Sequence, residues 1–173
     1  ITLTKSAESS GADAALLVSP YYNKPPQEGI YEHHIKIADE VNLPQILYNV
    51  PSRTASFIES ETVSRLAKHQ NIIGIKDATG DMENLENLKT LCKEEIKTNN
   101  FSLFSGDDFS SLEFIAKGGD GTISVSSNIV PKIVSDICEL VKKDYEAAKN
   151  LDDSLKELNK NLFIESNPIP VKW

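Results

Sequence analysis

NIIGIKDATG, residues 71–80, sets an apolar, β-branched run directly against a lysine, an acidic residue and a glycine turn. Residues 72–76 read as a short strand buried on both faces, continuous in its apolarity rather than alternating. Lys76 closes it. An ammonium loses hydration on burial, so a lysine in that place either reaches solvent or performs chemistry. Downstream, from about Met82 to Lys97, Leu85, Leu88 and Cys92 share a helical face.

The same strand–turn–helix unit recurs along the chain. Residues 1–12 read as the tail of a helix with Gly11 as its C-cap. Strands are expected near 14–19, 45–50, 72–76, 101–105 and 121–125. Helices are expected over 26–41, over 61–69 with Ser60 as cap, over 110–117, and finally over 129–149 and 152–163. Strands alternating with helices imply a parallel sheet joined by right-handed crossovers. The rhythm suits a doubly wound sheet or a β/α barrel. The chain opens inside a helix and closes abruptly after Trp173, so it reads as cut at both ends. Five βα units with a leading helix are what survives when three strands of an eight-stranded barrel are missing. The organisation expected is a partial β/α barrel over 1–126 and a helical segment over 127–173.

Bulk properties narrow the function classes. Apolar content of 39% and charged content of 25% are those of a soluble globular protein. A net charge of −8, with the basic residues dispersed, disfavours nucleic acid and anionic membranes as partners. No apolar run is long enough to span a bilayer. Cys92 and Cys138 form no metal or redox motif, which fits a reducing cytoplasm. His33 and His34 have no third ligand in view and read as structural.

In parallel α/β folds the site lies at the C-terminal ends of the strands. Those positions offer Tyr21, Tyr22 and Asn23, then Tyr48, Asn49, Ser52 and Arg53, then Lys76 and Asp77. Burial among Ile72, Ile73 and Ile75 would favour the neutral, nucleophilic amine of Lys76, which attacks ketones and aldehydes to form a Schiff base. A tyrosine hydroxyl can shuttle the protons, and an arginine fork suits the carboxylate of a 2-oxo acid. Each residue also has a plain reading. Lys76 can be a boundary residue, Tyr48 a core aromatic, Tyr21 and Tyr22 packing at the mouth, and Arg53 a solvated loop side chain. GGDG (118–121) reads as a turn, and Asp107 and Asp108 as caps of the helix after them.

PYYNKP (20–25), LYNVPSRT (47–54), IIGIKDATG (72–80), SGDD (105–108) and NPIPVK (167–172) occur in this order. Together they make the chain resemble the dihydrodipicolinate synthases, members of the pyruvate-dependent class I aldolase family. The resemblance implies a (β/α)8 barrel and condensation of pyruvate with aspartate semialdehyde, on the route to diaminopimelate and lysine. It implies a Schiff base on Lys76 with no separate cofactor, a proton relay through Tyr48, and Arg53 organising substrate carboxylate. It further implies that Tyr22 completes a neighbouring copy's relay in a dimer of dimers. Tyr21 would line a lysine feedback site where one exists, and the Ile123 carbonyl would line the pyruvate pocket. The family's N-terminal third, with threonines that contact pyruvate, has no counterpart here. A sialic acid or sugar-acid lyase, and a non-catalytic fragment, are the alternatives.

Overall fold

The computed structural model describes residues 1–173. The elements run α1 (Thr2–Ser9), β1 (Ala15–Val18), α2 (Gln27–Glu40), β2 (Gln45–Asn49), α3 (Pro51–Thr54), α4 (Ser60–Leu66), β3 (Ile72–Asp77), α5 (Met82–Leu91), α6 (Lys93–Lys97) and β4 (Ser102–Ser105). They continue with α7 (Ser111–Ala116), β5 (Gly121–Thr122), a 3-10 turn (Ser126–Asn128), α8 (Pro131–Leu140), α9 (Tyr145–Leu162) and α10 (Ile169–Lys172). The strands succeed one another in the sheet in chain order, β1 to β5, and the resolved pairings are parallel. This is the βα succession of a partial barrel.

Two compact units divide the chain, residues 1–103 and 104–173. The division falls inside β4 rather than at 126/127, where the sequence suggests it. Its physical reason is that Leu112 and Ile115 of α7 share one apolar cluster with Ile137, Val141, Ala148 and Leu155 of the late helices.

In the first unit Leu47, Ile58, Leu66, Ile75, Leu85 and Leu88 are all fully buried between strands and helices. Each such side chain contributes about 1.5–3 kcal/mol of burial free energy. The β2–β3 register contains a bulge. Gln45 pairs with Ile72 but Ile46 pairs with Gly74, so one extra residue of β3 is accommodated there. Beyond the bulge Leu47 pairs with Ile75, Tyr48 with Lys76 and Asn49 with Asp77. Gly74 is required at its position, because a Cβ would meet the backbone oxygen of Ser102 at 2.7 Å.

Some local expectations are corrected. Ser60 does not cap α4; it is the first helical residue, and its hydroxyl donates to Asn84 Oδ1 at 2.9 Å. The helix expected over 82–97 breaks at Cys92 into α5 and α6. The last long helix begins at Tyr145, because the Asp144 carboxylate accepts the Ala147 N–H as an N-cap. The strand at 121–125 is paired only over Gly121 and Thr122, with Ile123 N–H donating to Ser105 O.

In the second unit Asp107 caps locally, accepting from Ser110 N–H and Oγ. Asp108 does not cap α7. Its carboxylate accepts the N–H groups of Val125 and Ser126 at 2.9 and 3.2 Å, at the start of the 3-10 turn. Asn159 of α9 closes the arrangement, accepting from Ser126 Oγ.

Candidate active site

Strand pairing places Tyr48 and Lys76 side by side at the ends of β2 and β3. Lys76 Nζ lies 4.3 Å from the centroid of the Tyr48 ring. Both residues are half-buried. A cation above an aromatic face is held by the ring quadrupole. Burial raises the pKa of the Tyr48 phenol above its ordinary value, and the positive charge of Arg53 offsets part of that rise. The hydroxyl therefore keeps its proton at neutral pH and can donate it.

Arg53 reaches this neighbourhood through α3, a single turn that Pro51 starts. Ala55 ends the turn with a left-handed φ of 54°. Thr54, the next residue, is buried and fixes the turn: its hydroxyl donates to Ser56 O at 2.8 Å, with Val50 O also in reach at 3.2 Å. Arg53 itself is exposed.

Tyr21 and Tyr22 stand exposed in the loop after β1, at 67% and 90% of their full accessibility. Tyr22 has φ 71°, which a bulky residue adopts only at a cost in strain. Ile123, at the end of β5, is half-buried and belongs to the second unit. The first unit thus brings together Lys76, Tyr48 and Arg53, and leaves Tyr21 and Tyr22 on its surface.

Behind Tyr48 and Lys76 lies a set of residues that the sequence offers at the strand ends without a role. Asn49 is fully buried and Asp77 is 2% exposed. Asn49 Nδ2 donates to Asp77 Oδ1 at 3.1 Å, and the amide of Ile58 donates to Asn49 Oδ1 at 3.1 Å. Thr79 Oγ1 and Asn84 Nδ2 donate to Asp77 Oδ2 at 2.7 and 3.0 Å. Burial raises the pKa of the Asp77 carboxyl, against the lowering effect of these donors. The signal for these residues was strand alternation. Each comes directly after a mouth-facing residue, so each points into the helix layer, where an apolar side chain is the ordinary occupant.

His33 and His34 belong to no metal-binding cluster, and no group of three or more potential metal ligands occurs. His34 is fully buried, with both ring nitrogens lacking a hydrogen-bond partner.

Residues 1–173, the whole chain, match the profile of the Dihydrodipicolinate synthetase family. This chain belongs to that family. Among curated relatives, the 4-hydroxy-tetrahydrodipicolinate synthase of Thermodesulfovibrio yellowstonii is 53% identical over 99% of the chain. The enzyme of the same name from Alcanivorax borkumensis is 49% identical over all of it. The chain spans 58% of the length of each. The crystal structure of the Acinetobacter baumannii dihydrodipicolinate synthase, complexed with pyruvate, superposes with a TM-score of 0.92 at 49% identity. It covers 99% of this chain and 58% of its own. The Thermotoga maritima dihydrodipicolinate synthase superposes with a TM-score of 0.93 at 39% identity, with the same coverage. Family membership and the partial-barrel fold therefore agree with the strand-end geometry.

Proposed function

We propose that this chain carries the Schiff-base half of an enzyme that condenses pyruvate with aspartate semialdehyde. The product is 4-hydroxy-tetrahydrodipicolinate, on the route to diaminopimelate and lysine. The observation that carries the reading is the Lys76 amine 4.3 Å from the Tyr48 ring, at adjacent strand ends. The names of the relatives, and the pyruvate held by the Acinetobacter enzyme, support the substrate assignment.

In this reading the neutral Lys76 amine attacks the ketone carbon of pyruvate. The carbinolamine hydroxyl leaves as water after taking a proton, which the Tyr48 phenol is placed to supply. The resulting iminium is a cation, as the ammonium was, and the Tyr48 face favours it in the same way. Loss of a methyl proton gives the enamine, whose carbon attacks the aldehyde of the second substrate. Arg53 holds substrate carboxylate with its planar fork. The lysine itself supplies the electron sink, so the chemistry calls on no further cofactor. Tyr22, exposed and held at positive φ, is assigned to a neighbouring copy's relay in a dimer of dimers. Tyr21 is assigned to a lysine feedback site, and the Ile123 carbonyl to the pyruvate pocket. The setting proposed is the cytoplasm.

Borohydride trapping with pyruvate, then peptide mapping of the gene product at its full natural length, tests this. A reduced adduct on Lys76 and turnover with aspartate semialdehyde, in preference to sugar-acid substrates, are expected. An adduct on another lysine, or none, refutes the assignment.

A further inference from the structure

We infer that the buried Asn49–Asp77 pair is a positioning pair for the Schiff-base site, fixing the spacing of Tyr48 and Lys76 from the opposite face of the sheet. The inference rests on the proposed role of Lys76. Asn49 and Tyr48 are consecutive in β2, and Asp77 and Lys76 are consecutive in β3. Side chains alternate along a strand, so the two pairs stand on opposite faces of the same two peptide units. The Tyr48–Lys76 side is the half-buried mouth. The Asn49–Asp77 side is sealed beneath α4 and α5, where Ser60 and Asn84 are each 6% exposed.

Every polar atom of this seam is committed. Asn49 offers its amide to Asp77 and its oxygen to the Ile58 N–H. Its backbone carbonyl accepts the Ala78 N–H at 2.9 Å, extending the β2–β3 hydrogen bonding one residue past Asp77. Asp77 accepts from both sides, from Asn49 on one oxygen and from Thr79 and Asn84 on the other. Asn84 accepts in turn from Ser60 Oγ. A seam this satisfied in a low-dielectric interior has one arrangement, whereas an apolar pair could slide. The strand end bearing Lys76 cannot shift along β2 without breaking it. Burying such a network is a poor route to stability alone, since apolar side chains would fill the space at least as well.

The donor–acceptor polarity makes the inference testable by a reciprocal swap. Asn49→Asp sets two carboxyl groups against each other. Asp77→Asn has one oxygen to meet donors on both sides. The double variant Asn49→Asp/Asp77→Asn restores the pair in reverse: the amide at 77 donates to the carboxylate at 49, and its oxygen still accepts from Thr79 and Asn84. The readout is the rate of borohydride-trappable imine formation with pyruvate and kcat per trapped site, at full natural length.

Each single variant is expected to lose about 100-fold in kcat per trapped site, the cost of misplacing a reacting group by roughly 1 Å, with KM for pyruvate little changed. The double swap recovers most of that loss. Single variants that are less stable yet react at the wild-type rate per folded site overturn the inference, as does a swap that recovers stability alone. Thr79→Val removes one donor to Asp77 from a half-buried loop position and guards against failure of the single variants to fold. It slows imine formation in the same direction, and an unchanged rate overturns the inference. Wild-type protein that forms no adduct on Lys76 overturns the functional reading itself. An adduct on Lys76 with indifferent variants overturns only the positioning role.

Discussion

Lys76 Nζ faces the ring of Tyr48, with 4.3 Å between the nitrogen and the ring centroid. In the proposed reaction the residue has two duties, a ring face for the cationic nitrogen and a hydroxyl for proton transfer. Substitution separates them. Tyr48→Phe keeps the face and loses the hydroxyl, so kcat is expected to fall about 100-fold or more while Lys76 still forms a trappable adduct slowly. Tyr48→Leu loses both and reduces trapping further. Lys76→Ala abolishes the adduct, read by mass after borohydride.

In the proposed reaction Arg53 holds substrate carboxylate, and its charge also lowers the pKa of the Tyr48 phenol. Arg53→Lys keeps the charge but loses the fork, and KM is expected to rise about tenfold, the cost of a charge-assisted hydrogen bond. Arg53→Ala also removes the positive charge that lowers the Tyr48 pKa, so the phenol titrates still higher. Ultraviolet titration, by difference against Tyr48→Phe, checks the direction.

His34 links stability to acid. Burial lowers its pKa from 6.5 to about 3, because the charged ring would lie in an apolar interior. The unfolded chain takes up the proton first. Stability is full above pH 6.5 and is lost as pH falls from 6.5 toward 3, at up to about 1.4 kcal/mol per pH unit. His34→Leu should remove this component and gain about 1 kcal/mol at neutral pH, since both nitrogens lack partners. Urea unfolding at pH 7 and pH 4.5, with and without the substitution, measures it.

Gly74→Ala forces a methyl group to within 2.7 Å of Ser102 O, on backbone that cannot rotate away. The strands must separate, and a loss of about 1–3 kcal/mol is expected. Thermal melting detects it, and an unchanged midpoint would show that the strands can part freely there.

The βα rhythm was legible because short apolar runs and amphipathic helices announce themselves by period, and all five strands lie where the runs fall. Lys76, Tyr48 and Arg53 were legible as polar residues at the right ends of those strands. Asp108 was not, because its carboxylate serves the turn after β5 rather than its own helix, and local pattern carries no such long-range partner. Ser60 misled for the same reason: a good capping residue was taken up by Asn84 of the next helix. Asn49 and Asp77 were visible as strand-end residues, but their meaning depends on which face they occupy. Alternation gives that face within each strand, but that Asn49 lies opposite Asp77 depends on the bulge between Gln45 and Ile46, which the sequence does not reveal.

The bulge sets where along β3 a change of length is felt. From Ile72 to Asp77 the strand spends six residues where Gln45 to Asn49 spends five. Removing Ile73 would make the pairing even and still leave Tyr48 opposite Lys76, whereas removing Ile75, after the bulge, would bring Lys76 opposite Leu47 and Asp77 opposite Tyr48. After the second deletion either the amine turns into the helix layer and an aspartate takes the mouth, or the bulge must be rebuilt elsewhere. Exchanging one apolar side chain for another at Ile73 carries no such consequence. A change of length is therefore absorbed at the bulge and felt at every position after it.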